Sequence, residues 1–176
     1  MIRAIFLDRD GVINRAFVRD GRPYPPSCLS EVEILPKVEA ALNNLKAAGY
    51  LLIVVTNQPD VATGKTSKFI VNQINEFLGN SLPLDEIRTC FHEDKDRCNC
   101  RKPAPGSLLE AASKFQIDLQ LSYMIGDRWR DIEAGAAAGC KTFFINYGYQ
   151  EKQPDFPDFI VSSLAEASEI IIGEFS

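Results

Sequence analysis

Ile2-Arg3-Ala4-Ile5-Phe6-Leu7-Asp8-Arg9-Asp10-Gly11 runs from an apolar strand straight into two carboxylates one residue apart. Strand alternation places Asp8 and Asp10 on the same side of the chain. Like charges that close raise a pKa or call for a cation, and Gly11 allows a turn too sharp for another side chain. A divalent ion with hard oxygen ligands, Mg²⁺ above all, resolves the repulsion and commonly serves phosphate chemistry. A solvated acidic turn is the competing reading of this stretch by itself.

Outward from this strand, apolar runs alternate with helical spacing, which predicts a parallel α/β sheet. The first strand covers about residues 2–7, and a Pro-rich loop follows to about residue 35. Pro36 suits the first turn of a helix carrying Val38, Ala41, Leu42 and Leu45, with Gly49 as its stop. Strands are expected at about 50–55, 87–91, 122–125, 141–145 and 159–161. Helices are expected at about 67–78, 106–115, 131–138 and 164–172. The 176 residues contain no repeat, low-complexity tract or linker, so one domain over 1–176 is expected.

The formal net charge of −5, with 24% charged and 45% hydrophobic residues, argues against a nucleic-acid partner. The opening residues lack a signal-peptide pattern, and no apolar run approaches the ~20 residues of a membrane helix. The expectation is a cytoplasmic monomer without membrane contacts, whose five cysteines are reduced or metal-bound.

In open parallel sheets ligands bind beyond the carboxyl ends of the strands. Those positions hold Asp8 and Asp10; Thr56, Asn57 and Gln58; Arg101 and Lys102; and Asp127 and Arg128, with Asp131 one turn on. Phosphoryl transfer needs a nucleophile, a proton donor, a metal and donors around the non-bridging oxygens. Asp8 is placed for the nucleophile, Asp10 for general acid and then base, and Asp127 for completing a metal site. Thr56 and Lys102 suit phosphoryl oxygens. Singly, Thr56-Asn57 also fits a turn or cap, Lys102 a surface lysine, and Asp127 an N-cap.

Cys90, His92, Cys98 and Cys100 make a C-x-H-x5-C-x-C loop around the chain's one histidine, a ligand set for closed, structural tetrahedral zinc. Free thiols are the alternative. Such a site would pin the loop (about 90–102) that presents Arg101 and Lys102. Cys28 and Cys140 receive no role.

DRDG at 8–11, TN at 56–57, RKP at 101–103 and GDR at 126–128 make the chain resemble the haloacid dehalogenase superfamily of aspartyl phosphatases. Over its whole length it is similar to the capless histidinol-phosphate and D-glycero-D-manno-heptose 1,7-bisphosphate phosphatase branch. The resemblance implies a three-layer Rossmann-like α/β sandwich with a mainly parallel central sheet, a short flap (about 12–30) and no cap domain. It also implies Asp8 as nucleophile, Asp10 as acid/base, and Mg²⁺ held by Asp8, the Asp10 backbone carbonyl and Asp127. Lys102 would clamp the phosphoryl group, Thr56 and Asn57 would hydrogen-bond it, and Arg101 would contact substrate. Gln58 and Arg128 count as further substrate-contacting positions, Arg128 standing where many members have Lys. A zinc loop is expected too, here with five residues between His92 and Cys98.

One departure bears on substrate. Heptose-type members usually continue after Thr-Asn-Gln with Ser-Gly and an Arg-Gly pair, whereas this chain reads Pro59-Asp60-Val61-Ala62-Thr63-Gly64. Lys65, Arg15, Arg19 and Arg22 are candidate replacements for the missing arginine. The expected activity is removal of a phosphate from a heptose 1,7-bisphosphate. Histidinol phosphate or another small metabolite is the alternative substrate, and a phospho-accepting signalling domain without turnover the alternative class.

Overall fold

The computed structural model describes residues 1–173. Eight strands and five helices follow one another as β1 (Arg3–Leu7), β2 (Phe17–Arg19), β3 (Arg22–Tyr24), α1 (Val38–Ala47), β4 (Tyr50–Asn57), α2 (Lys68–Ser81), β5 (Glu86–Cys90), α3 (Gly106–Phe115), β6 (Tyr123–Gly126), α4 (Trp129–Ala138), β7 (Lys141–Ile145), β8 (Phe159–Val161) and α5 (Leu164–Gly173). Six strands form one sheet in the order β5-β4-β1-β6-β7-β8, all pairs parallel.

Period-two alternation in β1 builds the layers. Ile5 and Leu7 enter a core with Leu42 and Leu45 of α1, Ile74 and Leu78 of α2, and Ile171 of α5. Ala4 and Phe6 face the other way, onto Leu108 and Ala111 of α3 and Ala134 of α4. A strand buried on both faces must be apolar throughout, which is why residues 4–7 read as a continuous run. β1 registers Leu7 opposite Val54 on one side and Ile125 on the other. The chain leaves β1 toward β4 and β5, then crosses back to β6. The carboxyl end of β1 therefore lies at the point where the winding direction reverses, the ordinary ligand position of such sheets.

The expected elements are present, with informative shifts at their ends. β4 runs two residues further than expected because β5 pairs with it up to Asn57, opposite Cys90. Pro36 does not open α1: Lys37 adopts a left-handed φ of 62°, and the helix starts at Val38. Ser67 caps α2 by accepting from the Ile70 N–H at 3.2 Å. α4 starts at Trp129, two residues early, because the Asp131 carboxylate accepts from the Arg128 N–H at 3.0 Å and closes its first turn. In the Pro-rich region, β2 and β3 form an antiparallel hairpin turned at Asp20 and Gly21, with φ of 48° and 71°. Positive φ at both turn residues matches the twist of two-residue hairpins, and Asp-Gly is a preferred pair there. Among the described residues no helix is long and apolar enough to cross a membrane.

Candidate active site

A cleft at the carboxyl ends of β1, β4 and β6 is lined by Asp8, Asp10, Asn57, Gln58, Lys102, Arg128, Arg130 and Asp131, with Arg22 to Pro25 of the hairpin and its exit along one wall. Asp8 follows the last residue of β1, and its N–H donates to the Ile125 carbonyl at 3.0 Å, so the backbone beneath the carboxylate is part of the sheet. Lys102 is buried. Its Nζ donates to Asp8 Oδ1 at 2.9 Å and to the Val55 carbonyl at 2.6 Å, and pairs with Asp131 Oδ1 at 2.6 Å.

Asp8, Asp127 and Asp131 each bring one carboxylate oxygen within 4.8 Å of the others. Burial, reinforced by Asp8 and Asp131, holds the Asp127 carboxyl well above the usual range. Burial and Asp8 push Asp131 up to about 6 against the pull of Lys102. Burial works against charge on Lys102 as well, yet Asp131 and Asp8 hold its pKa above the ordinary value. Three acids against one ammonium leave the cluster short of positive charge.

The acceptor pattern indicates where a cation belongs. Asp127 Oδ2 accepts from the Tyr149 hydroxyl at 2.8 Å, whereas Asp127 Oδ1 is buried with no hydrogen-bond partner. An orphaned buried carboxylate oxygen is costly unless a positive group faces it. Hard oxygens from several carboxylates fit Mg²⁺. Gly11 permits the close approach: its φ is +88°, and a Cβ there would stand 2.0 Å from Asp127 Oδ2.

Asp10 lies in the turn beyond β1, so strand alternation does not orient it. It is surrounded by donors instead. Oδ1 accepts from Arg9 Nε at 3.2 Å and Asn14 Nδ2 at 3.0 Å, and Oδ2 from Gln58 Nε2 at 2.8 Å. Arg9 is fully buried and is fixed at its other end by Asn75, at 2.9 Å. Each carboxylate of the opening pair thus has a cation of its own, Lys102 for Asp8 and Arg9 for Asp10.

Several candidates serve other side chains. Gln58 ties Asp10 to Thr56 Oγ1, 2.9 Å from its Nε2. Both ends of the Asn57 amide hold the Lys102 backbone: Nδ2 donates to its carbonyl at 3.0 Å, and Oδ1 accepts from its N–H at 3.1 Å. That side chain positions the lysine, and the second N–H of Nδ2 remains available on a residue that lines the cleft. Arg101 stands behind the residues that border the cleft, with its Nε donating to Asp94 Oδ1 at 2.7 Å. Arg130 stands in the wall instead, between Asp94 Oδ2 at 3.1 Å and the Lys102 carbonyl at 3.4 Å. Arg128 lines the cleft, with Nε on Glu151 Oε1 at 2.9 Å. Thr63 donates to the Asp60 carbonyl at 3.2 Å and shapes its own turn.

The cysteine loop closes on itself. Cys90 Sγ lies 3.7 Å from Cys98 Sγ and 3.1 Å from Cys100 Sγ, and the latter two are 3.4 Å apart. His92 Nδ1 is 3.5 Å from Cys90 and 3.3 Å from Cys100. Tetrahedral zinc with Zn–S of about 2.3 Å has sulfur–sulfur edges of about 3.8 Å, so the four atoms form a slightly contracted version of that cage. Burial and the neighbouring thiols push the Cys100 thiol up, a penalty that a cation would remove. The Gln58 N–H donates to the Cys90 carbonyl at 2.7 Å and Ser107 Oγ to the Cys100 carbonyl at 3.0 Å, fastening the loop to the β4 end and to α3.

A parallel sheet that gathers three carboxylates and a buried lysine at its switch point has the arrangement of a HAD-like hydrolase, and a HAD-hydrolase-like family model matches residues 99–167. The D-glycero-beta-D-manno-heptose-1,7-bisphosphate 7-phosphatase of Pasteurella multocida is 34% identical, over 98% of this chain and 98% of its own. The enzyme of the same name from Escherichia coli K12 is 35% identical, over 97% and 94%. The crystal structure of the D,D-heptose 1,7-bisphosphate phosphatase of B. bronchiseptica, complexed with magnesium and phosphate, superposes with a TM-score of 0.79 at 28% identity, covering 99% of each chain. The protein belongs to this family of HAD-like phosphatases.

Proposed function

We propose that this phosphatase is Mg²⁺-dependent and removes a phosphate from D-glycero-D-manno-heptose 1,7-bisphosphate through an aspartyl-phosphate intermediate. The observation that carries the chemistry is the trio Asp8, Asp127 and Asp131 around the partnerless Asp127 Oδ1, beside Lys102. Mg²⁺ held by Asp8, Asp127 and the Asp10 backbone carbonyl supplies neutralisation of the non-bridging phosphoryl oxygens when bound.

An Asp8 carboxylate oxygen attacks phosphorus as the bond to the sugar oxygen breaks, and Asp10 gives its proton to that leaving oxygen. Asp10, now ionised, takes a proton from water as the water oxygen attacks the aspartyl phosphate. The Asp8–phosphorus bond breaks, and inorganic phosphate leaves. Lys102 keeps Asp8 in one orientation and adds positive charge beside the phosphoryl group. Arg9, Asn14 and Gln58 hold Asp10 toward the cleft. Arg128 lines the cleft and suits phosphoryl oxygens, while Thr56 lies buried behind it with its Oγ1 accepting from Gln58.

The wall supports a substrate with a second anionic group. Arg22, Arg128 and Arg130 all line the cleft. Arg128 and Arg130 are paired with carboxylates, whereas Arg22 on β3 is exposed and makes no ion pair among the described residues. An arginine so placed suits a distal phosphate better than the ammonium of histidinol phosphate. In this reading the 17–24 hairpin is the flap over a single phosphatase domain. Zinc in Cys90, His92, Cys98 and Cys100 stiffens the loop carrying Lys102, and the two remaining thiols, Cys28 and Cys140, fit a reducing cytoplasm.

Phosphate release is measured with both anomers of the heptose bisphosphate, histidinol phosphate and common sugar monophosphates, with Asp8→Asn as the blank. Preference for one heptose anomer, lost in Asp8→Asn and Asp10→Asn, is expected. Preference for histidinol phosphate would move the substrate assignment, and a stable aspartyl phosphate without turnover would overturn the hydrolase mechanism.

A further inference from the structure

We propose that Tyr149 is a positioning residue for magnesium, fixing which oxygen of Asp127 is offered to the ion; this rests on the Mg²⁺ reading of the acidic trio. The Tyr149 hydroxyl donates to Asp127 Oδ2 at 2.8 Å, and Oδ1 of the same carboxylate is buried with no partner. A carboxylate with one oxygen claimed by a fixed donor presents the other in one direction, and metal ligands are commonly oriented in this way. The hydroxyl is itself held firmly. Tyr149 is buried in the segment after β7, and its neighbours are fastened on three sides. The Tyr147 hydroxyl donates to the Gly11 carbonyl at 2.9 Å, the Gln150 N–H donates to the Gly21 carbonyl at 2.8 Å, and Glu151 accepts from Arg128. The two tyrosine rings pack 5.6 Å apart. On its other side, Asp127 Oδ2 presses against Gly11, where even a Cβ would stand only 2.0 Å away. Gly11 and Tyr149 therefore limit rotation of the carboxylate from opposite ends of the chain.

Tyr149→Phe removes one oxygen and leaves the ring, so the packing around it is kept. Mn²⁺, as a spin probe for the Mg²⁺ position, is titrated by electron paramagnetic resonance into the zinc-loaded full chain. Tyr149→Phe is expected to raise the Mn²⁺ dissociation constant by about 10–100-fold, the usual effect of removing a partner of a metal ligand. The Mg²⁺ concentration giving half-maximal activity should rise in parallel, with kcat recovering at saturating Mg²⁺. Tyr147→Phe, whose hydroxyl touches a backbone carbonyl rather than the carboxylate, should bind Mn²⁺ as the unaltered chain does. Unchanged Mn²⁺ affinity in Tyr149→Phe, or equal losses in both variants, would overturn the proposal. If the unaltered chain itself bound no Mn²⁺, the magnesium assignment would fail, and this inference with it.

Discussion

Asp131→Asn tests whether the acidic cluster stores a pH-dependent cost in the metal-free protein. Asp131 is buried among Asp8, Asp127 and Lys102, and its pKa is pushed from 3.8 up to about 6. The folded chain therefore binds this proton more tightly than the unfolded chain. The resulting stability is fully present below pH 3.8 and is lost as pH rises through about 6. At about 1.36 kcal/mol per pH unit the full effect is about 3 kcal/mol, of which about 2 kcal/mol falls between pH 4.5 and 7. Asn has nearly the same shape and does not titrate in this range, so the difference from its stability reports Asp131 together with its coupling to Asp8, Asp127 and Lys102. Urea unfolding of both chains, zinc-loaded and without Mg²⁺, is measured from pH 4.5 to 7. Relative to Asp131→Asn, the unaltered chain should lose about 2 kcal/mol over that range. Saturating Mg²⁺ should flatten the difference, since a cation among the carboxylates favours their ionised forms. A difference that stays constant without Mg²⁺, or grows with pH, would refute the reasoning.

Gly11→Ala should destabilise the metal-free fold by at least about 1–2 kcal/mol, because φ is +88° and the new Cβ meets Asp127; thermal denaturation followed by circular dichroism measures it. The same variant should also lose Mn²⁺ binding. Arg22→Ala should raise KM for a sugar bisphosphate by about tenfold, equivalent to about 1.4 kcal/mol, while leaving KM for a monophosphate ester nearly unchanged; equal effects on both would remove Arg22 from distal recognition. Elemental analysis should find about one zinc per chain, and Cys98→Ala should lose it together with most activity, since the loop leads directly into Lys102. Full activity in a zinc-free chain would separate the loop from catalysis.

The alternating apolar and helical patterns were enough to read the parallel sheet; Asp8, Asp10 and Asp127 were legible because each follows a strand end closely, and Lys102 because it adjoins the cysteine loop in the RKP motif. Local chemistry was readable wherever the partners are close in sequence, as in Cys90, His92, Cys98 and Cys100. Asp20-Gly21 is a local signal for the hairpin, set in a stretch whose Pro23, Pro25 and Pro26 otherwise read as loop. Arg101 was legible from its place in RKP, whereas Arg130 was not, and only the folded loop shows both arginines on Asp94 with Arg130 in the wall.

What the chain order could not convey is how each side chain spends its hydrogen bonds. Asn57 is committed to a backbone 45 residues away, Lys102 to a carboxylate 94 residues away, and Tyr149 to one 22 residues away. Composition and spacing determined the layered sheet and the kinds of groups at its edge, because burial and helical or strand periodicity act over a few residues. The tertiary structure alone decided which oxygen of Asp127 remains unpaired and which arginines face the cleft. Those outcomes depend on distances between segments that no local pattern encodes.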